Sequence, residues 1–242
     1  MLYDLHIHTK YSDGEANVEE VINISQHQNI GVSITDHNNI KGTIKGFELS
    51  QKLNTEFLCG IEVGTREGKE VLFYFTNPND IEKFYINEVE PFKTSRMTRI
   101  SRSMIEIIQD EFKNKYNFAF TTLPHPFGPL KKKITNNIEL SNKIINFVDS
   151  LEVINGTQNN ATNNKAFIFA KTRPDKMMTS SSDAHLIKDI GKILTDIEIS
   201  NDRIISTQIL PQIGYSKNVI ETLYQITKSN INHSILKRGI SV

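Results

Sequence analysis

The chain has 242 residues with 28 basic and 28 acidic side chains, a formal net charge of zero. Balanced charge leaves no global field to hold a polyanion, so nucleic-acid binding would need a local patch or a metal. The single cysteine, Cys59, excludes an internal disulfide and fits a reducing compartment; with no basic-then-apolar leader and no apolar run near the ~20 residues of a span, the expectation is a cytoplasmic protein that does not enter the membrane.

Residues 2–7 read as a strand. Alternation puts His6 and His8 on one face and Leu5 and Ile7 on the other, and two imidazoles together at a strand end can chelate a divalent metal. Asp13, on the following loop, can reach the same neighbourhood. Asn17 opens a helix with Glu20 as its capping-box partner, and Gly31 stops it. A second strand over 31–35 runs into Asp36-His37-Asn38-Asn39. A helix follows over 40–54, then a strand over 57–61 with Glu62 at its end, an acid costly to bury unless paired or bound to a metal. The turn at 65–69 predicts a hairpin to a strand over 71–75.

Residues 93–114 carry the longest helical pattern, with Met97, Ile100, Met104, Ile108 and Phe112 on one side. Arg96, Arg99 and Arg102 recur on another, as a solvated face or a phosphate-facing edge. A strand over 118–123 enters Pro124-His125-Pro126, where both prolines disfavour helix. Lys131-Lys132-Lys133 forms a basic loop. Helices over 138–148 and 160–171 flank a strand over 150–154, and a short strand leads into Ser182-Asp183-Ala184-His185. A last strand spans 193–199, and 216–229 form an amphipathic helix. The strand–helix alternation implies an α/β chain with a parallel sheet or barrel.

Polar residues recur at the carboxyl ends of successive strands: His6, His8 and Asp13, then His37, Glu62, His125, and Asp183 with His185. In α/β barrels that end of the sheet assembles active sites. Five of the seven histidines fall there, while His27 and His233 do not. Histidine and carboxylate ligands without cysteine favour a hydrolytic centre of zinc, manganese or iron, and so many ligands suit two ions about 4 Å apart.

DLHIHTKYSDG, ITDHNN, GIEV, the HP pair, LEVING and SSSDAH, in this order, resemble the polymerase-and-histidinol-phosphatase (PHP) family of metal-dependent phosphoesterases over about residues 1–200. The resemblance implies a distorted (β/α)7 TIM-like barrel with two or three divalent metals at the carboxyl ends of its strands, followed by a helical extension over 201–242 that packs on the barrel or docks a protein partner. By position, His6, His8, Glu62 and Asp183 would hold one metal, and Asp13, His37 and His185 a second. Glu62 would reach a third metal with His125 and a histidine on the strand after the hairpin. Leu72 stands at that last place and cannot ligate, so the third site is depleted, and His125 is either its remaining ligand or a phosphate contact. The family's arginine after the HP pair is absent too, which moves phosphate recognition to Lys131, Lys132, Arg96 or Arg99.

The implied reaction is hydrolysis of a phosphate ester by a hydroxide bridging two metals. Asp183 or His185 would assist proton transfer, and Asp36 would orient His37 or another ligand. Asn155 is a candidate for the cleft wall. The expected substrate is a small phosphomonoester or nucleotide. The alternatives are a nucleic-acid end, or a non-catalytic module partnering a polymerase or ATPase.

Overall fold

The computed structural model describes residues 1–210, 222, 224–229 and 231–232. Among them the order is β1 (Leu2–Ile7), α1 (Val18–Gln28), β2 (Gly31–Ile34), α2 (Lys41–Leu53), β3 (Phe57–Gly64), β4 (Glu70–Phe75), α3 (Pro78–Glu88), α4 (Met104–Ile107), α5 (Asp110–Lys115), β5 (Phe120–Leu123), α6 (Ile138–Phe147), β6 (Ser150–Asn155), α7 (Asn160–Lys171), β7 (Met177–Ser181), β8 (Thr195–Ser200) and β9 (Arg203–Ile209). Helix α1 starts with the capping box the sequence predicts: Asn17 and Glu20 each bond the other's backbone N–H.

All strands join one sheet in the order β7-β6-β5-β4-β3-β2-β1-β8-β9. β1, β2 and β3 run parallel, as do β5, β6 and β7; β4 alone between them is antiparallel to both of its neighbours. The sheet curls until its ends nearly meet. His8 N donates to Ala184 O at 2.9 Å and Ala184 N donates to His6 O at 3.1 Å, which ties β1 to the chain leaving β7. The β8–β9 hairpin fills the remaining gap, pairing with β1 on one side and donating from Thr207 Oγ1 to Met178 O on the other. The result is a nearly closed α/β barrel.

β2, β3 and β4 are buried along their whole length, as expected of strands covered on both faces. One apolar cluster joins the outer faces of the strands to the helices, through residues such as Val21, Ile22, Ile34, Phe73, Phe84 and Ile144. A second gathers Tyr3, Leu5, Leu58, Leu72, Tyr74, Phe120, Ile197 and Ile204. Alternation puts Leu58 on the face of β3 that carries Glu62, and Leu72 and Tyr74 on the face of β4 that carries Glu70. These apolar side chains floor the polar site at the strand ends.

Two elements differ from the sequence reading. Residues 93–103 are not helical, and only the short α4 and α5 form within the 93–114 pattern. Thr94 Oγ1 donates to Arg99 O, and Ile100 N bonds Gly64 O while Ser101 N bonds Phe92 O, so a loop pinned to the end of β3 replaces the helix. Ile100, Met104 and Phe112 are buried, so the spacing records burial rather than a helical stripe. Residues 203–209 are strand β9 of the sheet, not the start of a helical extension. Half of the helix expected over 216–229 falls outside the described residues; 222 and 224–229 are helical, and Ser229 Oγ donates to Asp13 O at 3.3 Å.

Candidate metal centre

The end of β1 delivers His6 and His8 to one point, their Nε2 atoms 3.1 Å apart. Asp183 Oδ1 lies 3.5 Å from His6 Nε2 and 3.2 Å from His8 Nε2. Glu62 Oε2, from β3, lies 3.7 and 3.6 Å from the same two nitrogens. Asp13 lies beside this group. Its Oδ1 is 3.6 Å from His8 Nδ1 and 3.5 Å from His185 Nε2, and its Oδ2 is 3.6 Å from His37 Nε2. On the other flank, Glu62 Oε1 is 3.3 Å from His125 Nε2. All of these side chains are buried, and all were singled out in the sequence.

The second layer fixes which atom each ligand presents. His6 Nδ1 bonds Glu152 Oε1 at 3.1 Å and His185 Nδ1 bonds the Asp183 carbonyl at 2.9 Å, so both rings keep the Nε2 lone pair for the centre. Asn155 Nδ2 and Thr157 Oγ1 donate to Asp183 Oδ2 at 3.1 and 2.8 Å, which leaves Oδ1 to face the histidines. Glu152 also accepts from His125 N and Asn155 Nδ2, both at 2.7 Å, and from Ser181 Oγ. His125, Asp183 and Asn38 adopt positive φ of 32°, 48° and 48°, the kind of backbone strain that collects where side chains are aimed at a site.

Of the two roles expected for Asp36, orienting His37 or another ligand, its contacts match the second. Its carboxylate accepts from Thr9 N and Thr9 Oγ1, both at 2.7 Å, and from Ser12 Oγ, so it holds the loop that carries Asp13. Gly42 makes room for it, since a Cβ there would lie 2.2 Å from Asp36 Oδ2. Burial pushes the Asp36 carboxyl up to about 6 despite these hydrogen bonds.

The donor set suits divalent cations. Among the described residues, three buried side-chain atoms without a hydrogen-bond partner lie together here, Asp13 Oδ1, His37 Nδ1 and Glu62 Oε2, and Glu70 Oε2 beside them has only the Lys132 ammonium, at 2.7 Å. His37 Nδ1 and Glu62 Oε2 lie only 2.8 Å apart without forming a hydrogen bond, as two atoms turned toward a shared cation would. Burial opposes charge on Asp13, Glu62 and Asp183, yet the surrounding imidazoles outweigh it and hold all three below the usual carboxylate range. Burial and then the nearby His185 pull His8 down to about 4, so at pH 7 it is a neutral imidazole, the form that can ligate a metal. Burial works against a charged His37 too, but Glu62 and Asp13 outweigh it and lift the ring to about 9. Among the described residues three groups could each hold an ion: His6, His8 and Asp183; His8, Asp13, His37 and His185; and His37, Glu62 and Glu70.

Glu70, Glu152 and Thr157 were not anticipated from the sequence. Leu72 sits in the apolar floor, opposite Glu62 in the β3–β4 register, while Glu70 brings Oε2 to 3.5 Å from His125 Nε2. The third position therefore has an acid where the sequence reading found only a lost histidine.

The centre opens into a cavity of about 790 Å³ whose wall includes Lys132, Lys133, Lys165, Thr157 and Gln158, with Thr222 and Ile226 on the C-terminal side. Among the described residues Lys131, Arg96 and Arg99 do not line it. Lys131 and Arg96 are exposed, and Arg99 packs near Gly68 on the hairpin turn, while Thr98 is the residue of the 93–103 loop that reaches the cavity wall.

Sequence comparison matches the PHP domain profile to residues 4–173 and a PHP-associated profile to residues 160–207, the latter spanning β7 to β9. An uncharacterized protein of Methanocaldococcus jannaschii is 30% identical over 183 residues, 68% of this chain and 91% of its own length. The probable histidinol-phosphatase of Clostridium acetobutylicum is 30% identical over 95 residues, 35% of this chain and 36% of its own. The lesion-specific endonuclease of Pyrococcus furiosus shares the fold with a TM-score of 0.61 at 16% identity, over 100% of this chain and 72% of that one. The chain belongs to the PHP domain family, whose phosphoesterases are metal-dependent hydrolases of phosphate esters.

Proposed function

We propose that this chain hydrolyses a small phosphate monoester at a centre in which His6, His8, Glu62 and Asp183 hold one divalent metal and Asp13, His37 and His185 a second. The observation that carries the proposal is the convergence of buried, partnerless ligand atoms at the floor of one cavity. A cavity of about 790 Å³ is of the size that encloses a small ligand. Bound metals would acidify water and neutralise the phosphoryl oxygens. The chain's own residues do the rest. Asp183, held through Oδ2 by Asn155 and Thr157, keeps Oδ1 fixed, and His185 keeps Nε2 toward Asp13. Lys133 and Lys165, in the wall, supply positive charge for a phosphate without reading the rest of the substrate. His125 and Glu62 close the far flank.

The test is release of inorganic phosphate from a panel of nucleotides, sugar phosphates and amino-alcohol phosphates with manganese or zinc, beside a His8→Ala variant. Turnover that His8→Ala abolishes supports the proposal. Nucleotide release from end-labelled oligonucleotides without monoester turnover would replace it with a nuclease. That second reading draws on the fold shared with the Pyrococcus endonuclease and on exposed Lys131 and Lys133 near the mouth.

A further inference from the structure

The corner formed by Glu62, Glu70 and His125 has two carboxylates and an imidazole but no histidine from β4. It also has a cation of its own. Lys132 Nζ lies 2.7 Å from Glu70 Oε2, the same oxygen that stands 3.5 Å from His125 Nε2. Glu62 Oε1 is 3.3 Å from that nitrogen. Lys132 closes a short turn, Leu130–Lys132, five to seven residues beyond His125. That turn is tied down by Ile134 N to Pro126 O at 2.9 Å and by the Lys69 ammonium on the Lys133 carbonyl. Lys69 is the chain neighbour of Glu70, so the end of β4 that presents the carboxylate also clamps the loop that brings the lysine to it.

We infer that the Lys132 ammonium takes the place of a third metal ion at the Glu62–Glu70–His125 corner, so that the centre works with two metals and one lysine. The inference rests on the metal-centre reading above. Two carboxylates buried side by side need a compensating cation, and an ammonium at 2.7 Å provides one. An ammonium is a compact, three-donor point charge. While it sits there, a divalent ion meets both an occupied position and like-charge repulsion. Because Lys132 also lines the cavity, its charge faces the entering phosphoryl group as a metal's would.

Full-length protein is stripped with chelator, reloaded with excess manganese, desalted and measured for metal by elemental analysis. The expected content is about two equivalents per chain for wild type and for Lys132→Arg, rising to about three for Lys132→Ala and Lys132→Met, in which Glu62, Glu70 and His125 are free to ligate. Anomalous diffraction should show the added ion between those three residues in the neutral variants alone. The Lys132 side chain is 33% exposed, so its truncation leaves the core intact, and Lys132→Met preserves the packing of the stem. Three equivalents in wild type, or no gain in either neutral variant, overturns the inference. A wild-type chain that takes up no metal overturns the metal-centre reading itself, and is distinguishable from both.

Discussion

Glu152 is the residue whose change tests the site most sharply. Its two oxygens face four donors: the His6 ring N–H and Ser181 Oγ on Oε1, and His125 N and Asn155 Nδ2 on Oε2. Glu152→Gln keeps the shape and replaces one oxygen with an NH2. On the Oε2 side, the new amide would confront two donors whose hydrogens cannot turn away. On the Oε1 side, it would force His6 to accept at Nδ1, which moves the ring proton to Nε2, the atom 3.1 Å from His8 Nε2 and aimed at the centre. Either placement leaves a buried donor unpaired, at a cost of about 1–3 kcal/mol. The tautomer change adds a fall of roughly 10- to 100-fold in metal affinity, the usual effect of losing a partner behind a ligating histidine. Competition with a fluorescent chelator gives the affinity, and urea denaturation of the metal-free protein gives the stability. Manganese affinity within twofold of wild type would refute the argument that Glu152 sets the His6 tautomer.

Metal-free protein should lose stability as pH rises. His37 has a folded-state value of about 9 against an ordinary 6.5, so it binds its proton more tightly when folded. Its contribution is complete below 6.5 and lost through about 9, with roughly 3 kcal/mol as the upper bound from the shift. Thermal melts between those limits should show the decline without metal and a flatter profile with it, and metal uptake at neutral pH should release protons to a weakly buffered indicator. Gly42→Ala would press a methyl into the Asp36 carboxylate and loosen the Thr9–Ser12 loop. A drop of about 1–3 kcal/mol is expected, with weaker metal binding because Asp13 lies on that loop; an unchanged melt and metal affinity would dissociate Asp36 from the site. Glu88 is a control far from the centre. Buried under Arg102, Lys115 and Tyr116, it should cost about 1–3 kcal/mol on change to Gln and leave metal stoichiometry as it was.

Much of this site is legible in the chain because β strands impose a simple rule. His6 and His8 share a face through period two, and Glu62 is an acid inside an apolar run whose burial needs a reason. The same signal marks Glu152 between Leu151 and Val153, but its role depends on a contact 146 residues away, with His6, that no local pattern encodes. Asp36 shows how little adjacency decides between two possible partners. Adjacency to His37 suggested a partnership, yet successive residues at a strand end point in different directions, and its carboxylate turned to Thr9 and Ser12. The false helix over 93–114 came from treating buried apolar residues as periodic when Thr94 had already bound the backbone oxygens around it.

Glu70 escaped for a geometric reason. Searching for polar residues at the carboxyl ends of strands works while every strand points the same way. β4 points the other way, so the level of the barrel where its neighbours carry chemistry is reached at its amino end, directly after the hairpin turn. Gly64, past the end of the site on β3, pairs with Glu70, and Glu62 pairs with Leu72. Position 72 is therefore level with Glu62, and position 70 is one step further toward the mouth on the same face. A side chain at 70 stands about two strand residues, roughly 7 Å along the strand, beyond one at 72. At that height Glu70 meets the loop after β5, where Lys132 stands. The Glu70–Lys132 pair follows from that height, since a carboxylate at position 70 sits where a cation on the loop after β5 can reach it.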